Sequence, residues 1–245
     1  MDSGYYAAMT GLVARTQALD TVASNMANAQ TPGYRAEREY FRSALLGPDA
    51  QGSQLGRTVN NFGVLGGDHL NMGQGTLQAT GNPLDLAIEG QGFFQVKTAS
   101  GVSYTRDGGF KRTTAGQLVT TAGEPVLSST GQTINVPPGE ISVGADGGLS
   151  VAGGAVATIG VYTFPPGTQL TPSGANRYQP PAGTTPVLAT GSSVRQGTIE
   201  SSNQDVIQGT LDLVMMQRQA EMMQKALTMF HTEFNKIATE DIPKV

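Results

Sequence analysis

The 245-residue sequence contains no cysteine and no tryptophan. Without cysteine there are no disulfides, no thiolate metal ligands and no thiol nucleophile. Charged residues are scarce at 14%, and the 15 Lys and Arg are scattered. Counterion release on a nucleic acid needs clustered cations, so no nucleic-acid partner is expected. No apolar run approaches the roughly 18 residues of a membrane-spanning helix, so no membrane insertion is expected. No secretory signal is expected either: Asp2 stands where a basic segment would be, and Arg15 interrupts the first short apolar run.

Chemistry-bearing groups are equally thin. The two histidines, His69 and His231, have no recognisable Ser/Asp companions and read as surface residues. Asp85 and Glu89 alternate with Leu84 and Leu86 and read as the solvent face of a strand. Gly73-Gln74-Gly75 and Gly90-Gln91-Gly92 lack the helix and the Lys-Ser/Thr pair that a phosphate loop requires. Asp146-Gly147 is a turn signal without the later ligands of a calcium loop. The expectation is a non-enzyme with no catalytic, cofactor or metal site.

What the chain does have is glycine, unevenly placed. Of 33 glycines, 29 lie between Gly47 and Gly197. The two ends are compatible with helices and the middle is not. In residues 3–28 apolar and small residues step by four and three: Tyr5, Met9, Leu12, Thr16, Leu19, Ala23 and Met26. Near the end Val206, Leu213, Met216, Ala220, Met223, Leu227, Phe230, Phe234 and Ile237 do the same. This spacing keeps one seam of a helix toward a partner helix. The last helix carries a second row, Leu211, Met215, Met222, Ala226 and Met229, enough for two neighbours. Ser201, Ser202 or Asn203 would cap it, with Asp205 in its first turn.

Between the ends, residues 82–198 alternate apolar and polar residues in short runs punctuated by Gly, Pro and Asp. This pattern predicts a β-sandwich or irregular barrel. Residues 34–46 read as a short helix or an extended arm, and Gln169–Gly191 as loop. The expected fold class is α+β, with long N- and C-terminal helices pairing as a coiled-coil-like layer around an inserted all-β domain. The expected divisions are 1–46 (helix and arm), 47–81 (extended Gly/Asn/Gln-rich linker), 82–198 (β-domain) and 199–245 (C-terminal helix). Whether the apolar seams close on each other within one chain, or on other chains, stays open on pattern alone.

Three ordered motifs then carry a resemblance. The first is Asn25-Met26-Ala27-Asn28 followed by Thr31-Pro32-Gly33-Tyr34. The second runs Gly81-Asn82-Pro83-Leu84-Asp85 through Gly92-Phe93-Phe94, joined by Tyr104-Thr105-Arg106-Asp107-Gly108. The third is Gln196-Gly197-Thr198-Ile199-Glu200-Ser201-Ser202-Asn203 leading into the last helix. Together they resemble the rod and hook subunits of the bacterial flagellum, the basal-body rod protein family. The short connection from Thr31 to Gly81 looks most like a proximal-rod subunit, with a distal-rod or other hook–basal-body subunit as the alternative. The resemblance implies a periplasmic rod subunit exported by the flagellar type III apparatus without a cleaved signal. It further implies assembly with itself and other rod subunits, transmission of torque from motor to hook, and no cofactor. It places the assembly interface on the helical seam residues. Two readings from other classes stand beside it: a glycan-binding or peptidoglycan-active β-domain, and a soluble binding module whose helices form a private hairpin.

Overall fold

A computed structural model describes residues 2–42 and 64–240. Two helices stand at the ends, α1 (Asp2–Ala27) and α2 (Val206–Glu240). Among the described residues, seventeen short strands lie between them. They are β1 (Glu37–Arg42), β2 (Val64–Leu70), β3 (Leu77–Ala79), β4 (Leu86–Glu89), β5 (Phe93–Thr98), β6 (Gly101–Thr105), β7 (Lys111–Arg112), β8 (Leu118–Val119) and β9 (Ile141–Val143). Then follow β10 (Gly148–Val151), β11 (Gly154–Thr158), β12 (Val161–Thr163), β13 (Thr171–Pro172), β14 (Arg177–Gln179), β15 (Val187–Leu188), β16 (Ser193–Gln196) and β17 (Thr198–Glu200).

The chain divides into two compact units, and this overturns the expected coiled-coil-like layer around the β-domain. One unit holds both helices and the β1–β2 ribbon; the other holds residues Asn28–Ala36 and Leu70–Gln204. The helices do pack against each other, but within their own unit. The physical reason lies in which residues are buried. On α1 these are Gly11, Ala14, Ala18 and Asn25, and on α2 Gly209 and Ala220. Small residues let two backbones approach closely, so the larger apolar side chains flank the contact instead of filling it. A second difference concerns the start of α2. Its cap is Asp205, whose Oδ1 accepts from the Gln208 amide at 2.9 Å, and not Ser201, Ser202 or Asn203.

In the second unit the largest sheet has six antiparallel strands in the order β13-β14-β6-β5-β12-β15. Three of these strands fall in the stretch read from sequence as loop. The alternation of β5 divides two cores. Phe94 and Val96 join Leu86, Ile88, Phe110, Leu118 and Ile134 on one side. Phe93 joins Tyr104, Leu170 and Tyr178 on the other. Phe94 meets Phe110 edge-on at 5.1 Å between ring centroids, and Phe93 meets Tyr178 at 5.7 Å. In β4, Leu86, Ala87 and Ile88 are all buried, so both faces of this strand are covered and it does not alternate as the sequence suggested. No helix among the described residues is long and apolar enough to cross a membrane.

Candidate assembly interface

On the helical unit, the predicted seam residues are distributed as follows. Leu12, Leu19 and Met26 on α1, and Leu213, Met216, Met223 and Leu227 on α2, are half-buried. Met9 and Val206 are exposed. The side chains of Tyr5, Phe230, Phe234 and Ile237 lie outside the described residues, as does the linker over residues 47–63.

The second row of α2 is where apolar surface concentrates. Ile207, Leu211, Met215, Met222 and Met229 are all more than half exposed or at that boundary, from 50% for Met215 to 76% for Ile207. Val214 lies beside them at 43%. At 100° per residue these six fall within about a third of the helix circumference, on a face they share with exposed Arg218 and Lys225. Met9 and Val13 add exposed apolar surface to α1. Asn25 anchors α1 to the strand that follows. Its Nδ2 donates to the Glu37 carbonyl at 2.8 Å and its Oδ1 accepts from the Glu37 amide at 2.9 Å, so its amide imitates a strand backbone.

On the β unit, the three sequence motifs converge on one buried ion cluster. Gly33 sits at φ +67°, and a Cβ there would lie 2.3 Å from the carbonyl carbon of Arg106, so only glycine fits. Asn28 and Thr31 close the turn before it, with the Thr31 amide donating to the Asn28 carbonyl at 3.0 Å. The Asn176 side chain donates to the Pro32 carbonyl, and the Tyr34 carbonyl accepts from the Asn203 amide at 3.2 Å. Next in sequence, Arg35 Nη1 donates to Glu200 Oε1 at 2.7 Å. Arg106 Nη1 reaches Glu200 Oε2 at 3.0 Å and the Ile88 carbonyl at 3.1 Å. The Gly75 amide also donates to Glu200 Oε1, at 2.7 Å. All three charged side chains are at most 3% exposed. Burial pushes the Arg106 guanidinium down to about 10, against the pull of Glu200, with Arg35 adding to the depression.

The Gly81–Asp85 motif forms a hydrogen-bonded turn. Thr80 Oγ1 and Asn82 Nδ2 donate to the two Asp85 oxygens at 2.7 and 2.9 Å, and the Pro83 carbonyl accepts from Gln196. Gly81 adopts φ +75° in this turn, and Leu84 packs on the larger core. A Cβ on Gly92 would strike Val161 at 2.6 Å, which leaves the following Phe93 and Phe94 to serve the two cores. Sequence reasoning quoted Arg106 and Glu200 within motifs but gave them no role, and it passed over Arg35. Opposite charges this far apart in the chain cannot be paired from a single sequence. His69 is exposed, with its ring tilted against Tyr40 at 6.3 Å.

Comparison with known proteins places these features in context. Residues 6–35 match the family model described as "Flagella basal body rod protein", and residues 87–151 match "Flagellar hook protein FlgE/F/G D1 domain". Among relatives, the flagellar basal-body rod protein FlgF of Mesorhizobium japonicum is 34% identical over 224 residues, covering 90% of each chain. FlgF of Caulobacter vibrioides is 33% identical over 249 residues and covers 100% of both. FlgG of Bacillus subtilis is 31% identical over 254 residues, covering 91% of this chain and 93% of its own.

Proposed function

The chain belongs to the flagellar basal-body rod protein family, and from that premise we propose that it builds the rod through the exposed apolar rows of its helices. It is a structural subunit of the flagellar basal body, and the relatives named FlgF favour the FlgF type over FlgG. The observation that carries the assembly mechanism is the stripe Ile207, Leu211, Val214, Met215, Met222 and Met229 on α2. An apolar row of this length in water is a liability for a monomer and an asset for a subunit. Methionine adapts its shape, which suits contacts with non-identical neighbours.

In this reading the half-buried Leu12, Leu19, Met26, Leu213, Met216, Met223 and Leu227 flank the helix pair, while exposed Met9 and the α2 stripe meet the next subunit. The partners are further copies of this chain and other rod subunits, joined head to tail so that the contact propagates as an open filament. The subunit then transmits torque from motor to hook. Export through the flagellar type III apparatus without a cleaved signal belongs to the same proposal.

Leu211→Asp and Met222→Asp test it, because both positions are exposed and the monomer should keep its fold. The expected result is unchanged thermal unfolding of the purified chain with loss of rod incorporation and of swimming. Motile cells carrying both substitutions would overturn the assignment of the stripe.

A further inference from the structure

With no cysteine and no tryptophan in the chain, a hydroperoxide finds its readiest targets in the methionine thioethers. Five of the nine methionines lie between Met215 and Met229 on α2. Met215, Met222 and Met229 are 50, 60 and 63% exposed. They recur every seven residues, which falls only about 20° short of two helical turns, so they share one face. Met216 and Met223 stand one residue further on, about 100° around the helix, and are half-buried. Exposed and sheltered thioethers therefore lie side by side on one helix in nearly the same local sequence. Arg218 and Lys225 are exposed on the same face, three residues after one methionine of the row and four before the next. Side chains at these spacings are neighbours on a helix surface, so both cations can donate to an oxygen placed on the adjacent sulfur.

We propose that Met215, Met222 and Met229 form a site of reversible oxidation by hydroperoxides, and that their oxidation bars the free subunit from the rod. This rests on the reading of the α2 stripe as an assembly surface. In the oxidation step the sulfur lone pair attacks the terminal peroxide oxygen, and the O–O bond breaks as the S–O bond forms. Sulfur is oxidised by two electrons, the peroxide is reduced to water or an alcohol, and the proton of the attacked oxygen passes to the departing one. The row then presents polar acceptors in place of apolar surface. Water, Arg218 and Lys225 satisfy those acceptors in the free subunit, and covering them against an apolar neighbour strips the water away. A subunit already in place has the row covered and is shielded. Sulfoxide reductases, one for each epimer, restore the thioether.

The test begins with the purified full-length chain and hydrogen peroxide, with oxidation at each methionine read by peptide mass spectrometry. Met215, Met222 and Met229 should oxidise about threefold or more faster than Met216 and Met223, because susceptibility follows exposure. Equal rates would overturn the oxidation site and leave the stripe assignment untouched. The second arm is in cells. Leucine at all three positions keeps the apolar bulk and should leave swimming unchanged. Glutamine at the same three positions is a good helix former and puts an acceptor near the place of the sulfoxide oxygen. It should abolish rod incorporation and swimming at unchanged thermal unfolding of the purified chain. Motile cells carrying the three glutamines would overturn the bar to assembly. Leu211→Asp, run beside them, separates the two readings: if it still abolishes swimming, the stripe stands and only the oxidation proposal fails, and if it does not, the stripe fails too. In a third arm, peroxide acts on basal bodies isolated from motile cells. The row should oxidise about tenfold or more slowly there than in the free chain, since a covered thioether is inaccessible. The same rate in both would refute the shielding.

Discussion

Arg35 and Glu200 stand 165 residues apart in the chain and 2.7 Å apart in space, with side chains 1% and 0% exposed. The pair joins the segment leaving α1 to the strand that precedes α2, inside the β unit. With Arg106 it makes one carboxylate answer to two guanidiniums; Arg106 also meets the Ile88 and Gly90 carbonyls, and Glu200 the Gly75 amide. Breaking such a cluster leaves a charge buried and uncompensated.

Glu200→Gln should therefore destabilise the β unit by about 3–5 kcal/mol, the range for removing one member of a buried ion pair. Urea unfolding followed by near-ultraviolet tyrosine signals measures it. Adding Arg35→Met to Glu200→Gln should cost less than the sum of the single changes, since the second substitution removes an already orphaned charge. Strict additivity would mean that the two side chains are not energetically coupled.

Gly33→Ala adds a methyl group where none fits. Left-handed backbone alone costs an L-residue about 1–2 kcal/mol. The collision with the Arg106–Asp107 backbone adds to that. The melting temperature should fall by several degrees more than for Gly131→Ala, where φ is +78° but the Cβ would meet open space. Equal effects would remove the steric part of this account.

Ala18→Leu probes the helix pair. Ala18 is 2% exposed on the small-residue seam, and overfilling a close contact costs about 1–3 kcal/mol. Helical circular dichroism should melt earlier while the β-unit transition stays in place, because the two units have separate cores. A melting profile identical to that of the parent chain would mean that the helices are not held at this seam.

Asp107 gives a pH signature. Burial is the largest influence on its carboxyl and raises it above its ordinary 3.8, against hydrogen bonds from the Gly109 amide and Thr121 and with help from the nearby Asp85 charge. The folded state thus holds this proton to higher pH than the unfolded chain does. Its stabilising contribution is complete below about pH 4 and is lost as pH rises through the raised folded value. Asp107→Asn keeps an acceptor for the Gly109 amide and removes the titration. The variant should lose less stability than the parent chain between pH 4 and neutrality, measured by urea unfolding at a series of pH values. Parallel stability curves for the two proteins would contradict the burial effect.

Much of the molecule was legible in the residues themselves. The confinement of glycine to the middle set helical ends apart from a β interior, because Gly weakens helices wherever it falls. Short apolar runs broken by turn residues marked the β interior, and the helix read over residues 3–28 ends at Ala27. The Gly81–Asp85 motif marked a turn closed by its own side chains, whereas Asn25 reaches across to the Glu37 backbone. Three short strands in the apparent loop were missed because two- and three-residue strands carry no period of their own and form only when the rest of the sheet offers them edges.

The sequence by itself determined the classes of element, the apolar stripes of both helices and the family. Tertiary structure alone decided that small residues would occupy the helix seam and leave Ile207, Leu211 and the exposed methionines facing outward. It also decided that Arg35, Arg106 and Glu200 would meet. Periodicity reports which face of an element is apolar, a local property. Which apolar face is covered, and which charge answers which, depends on contacts between residues far apart in the chain, and no local pattern encodes those.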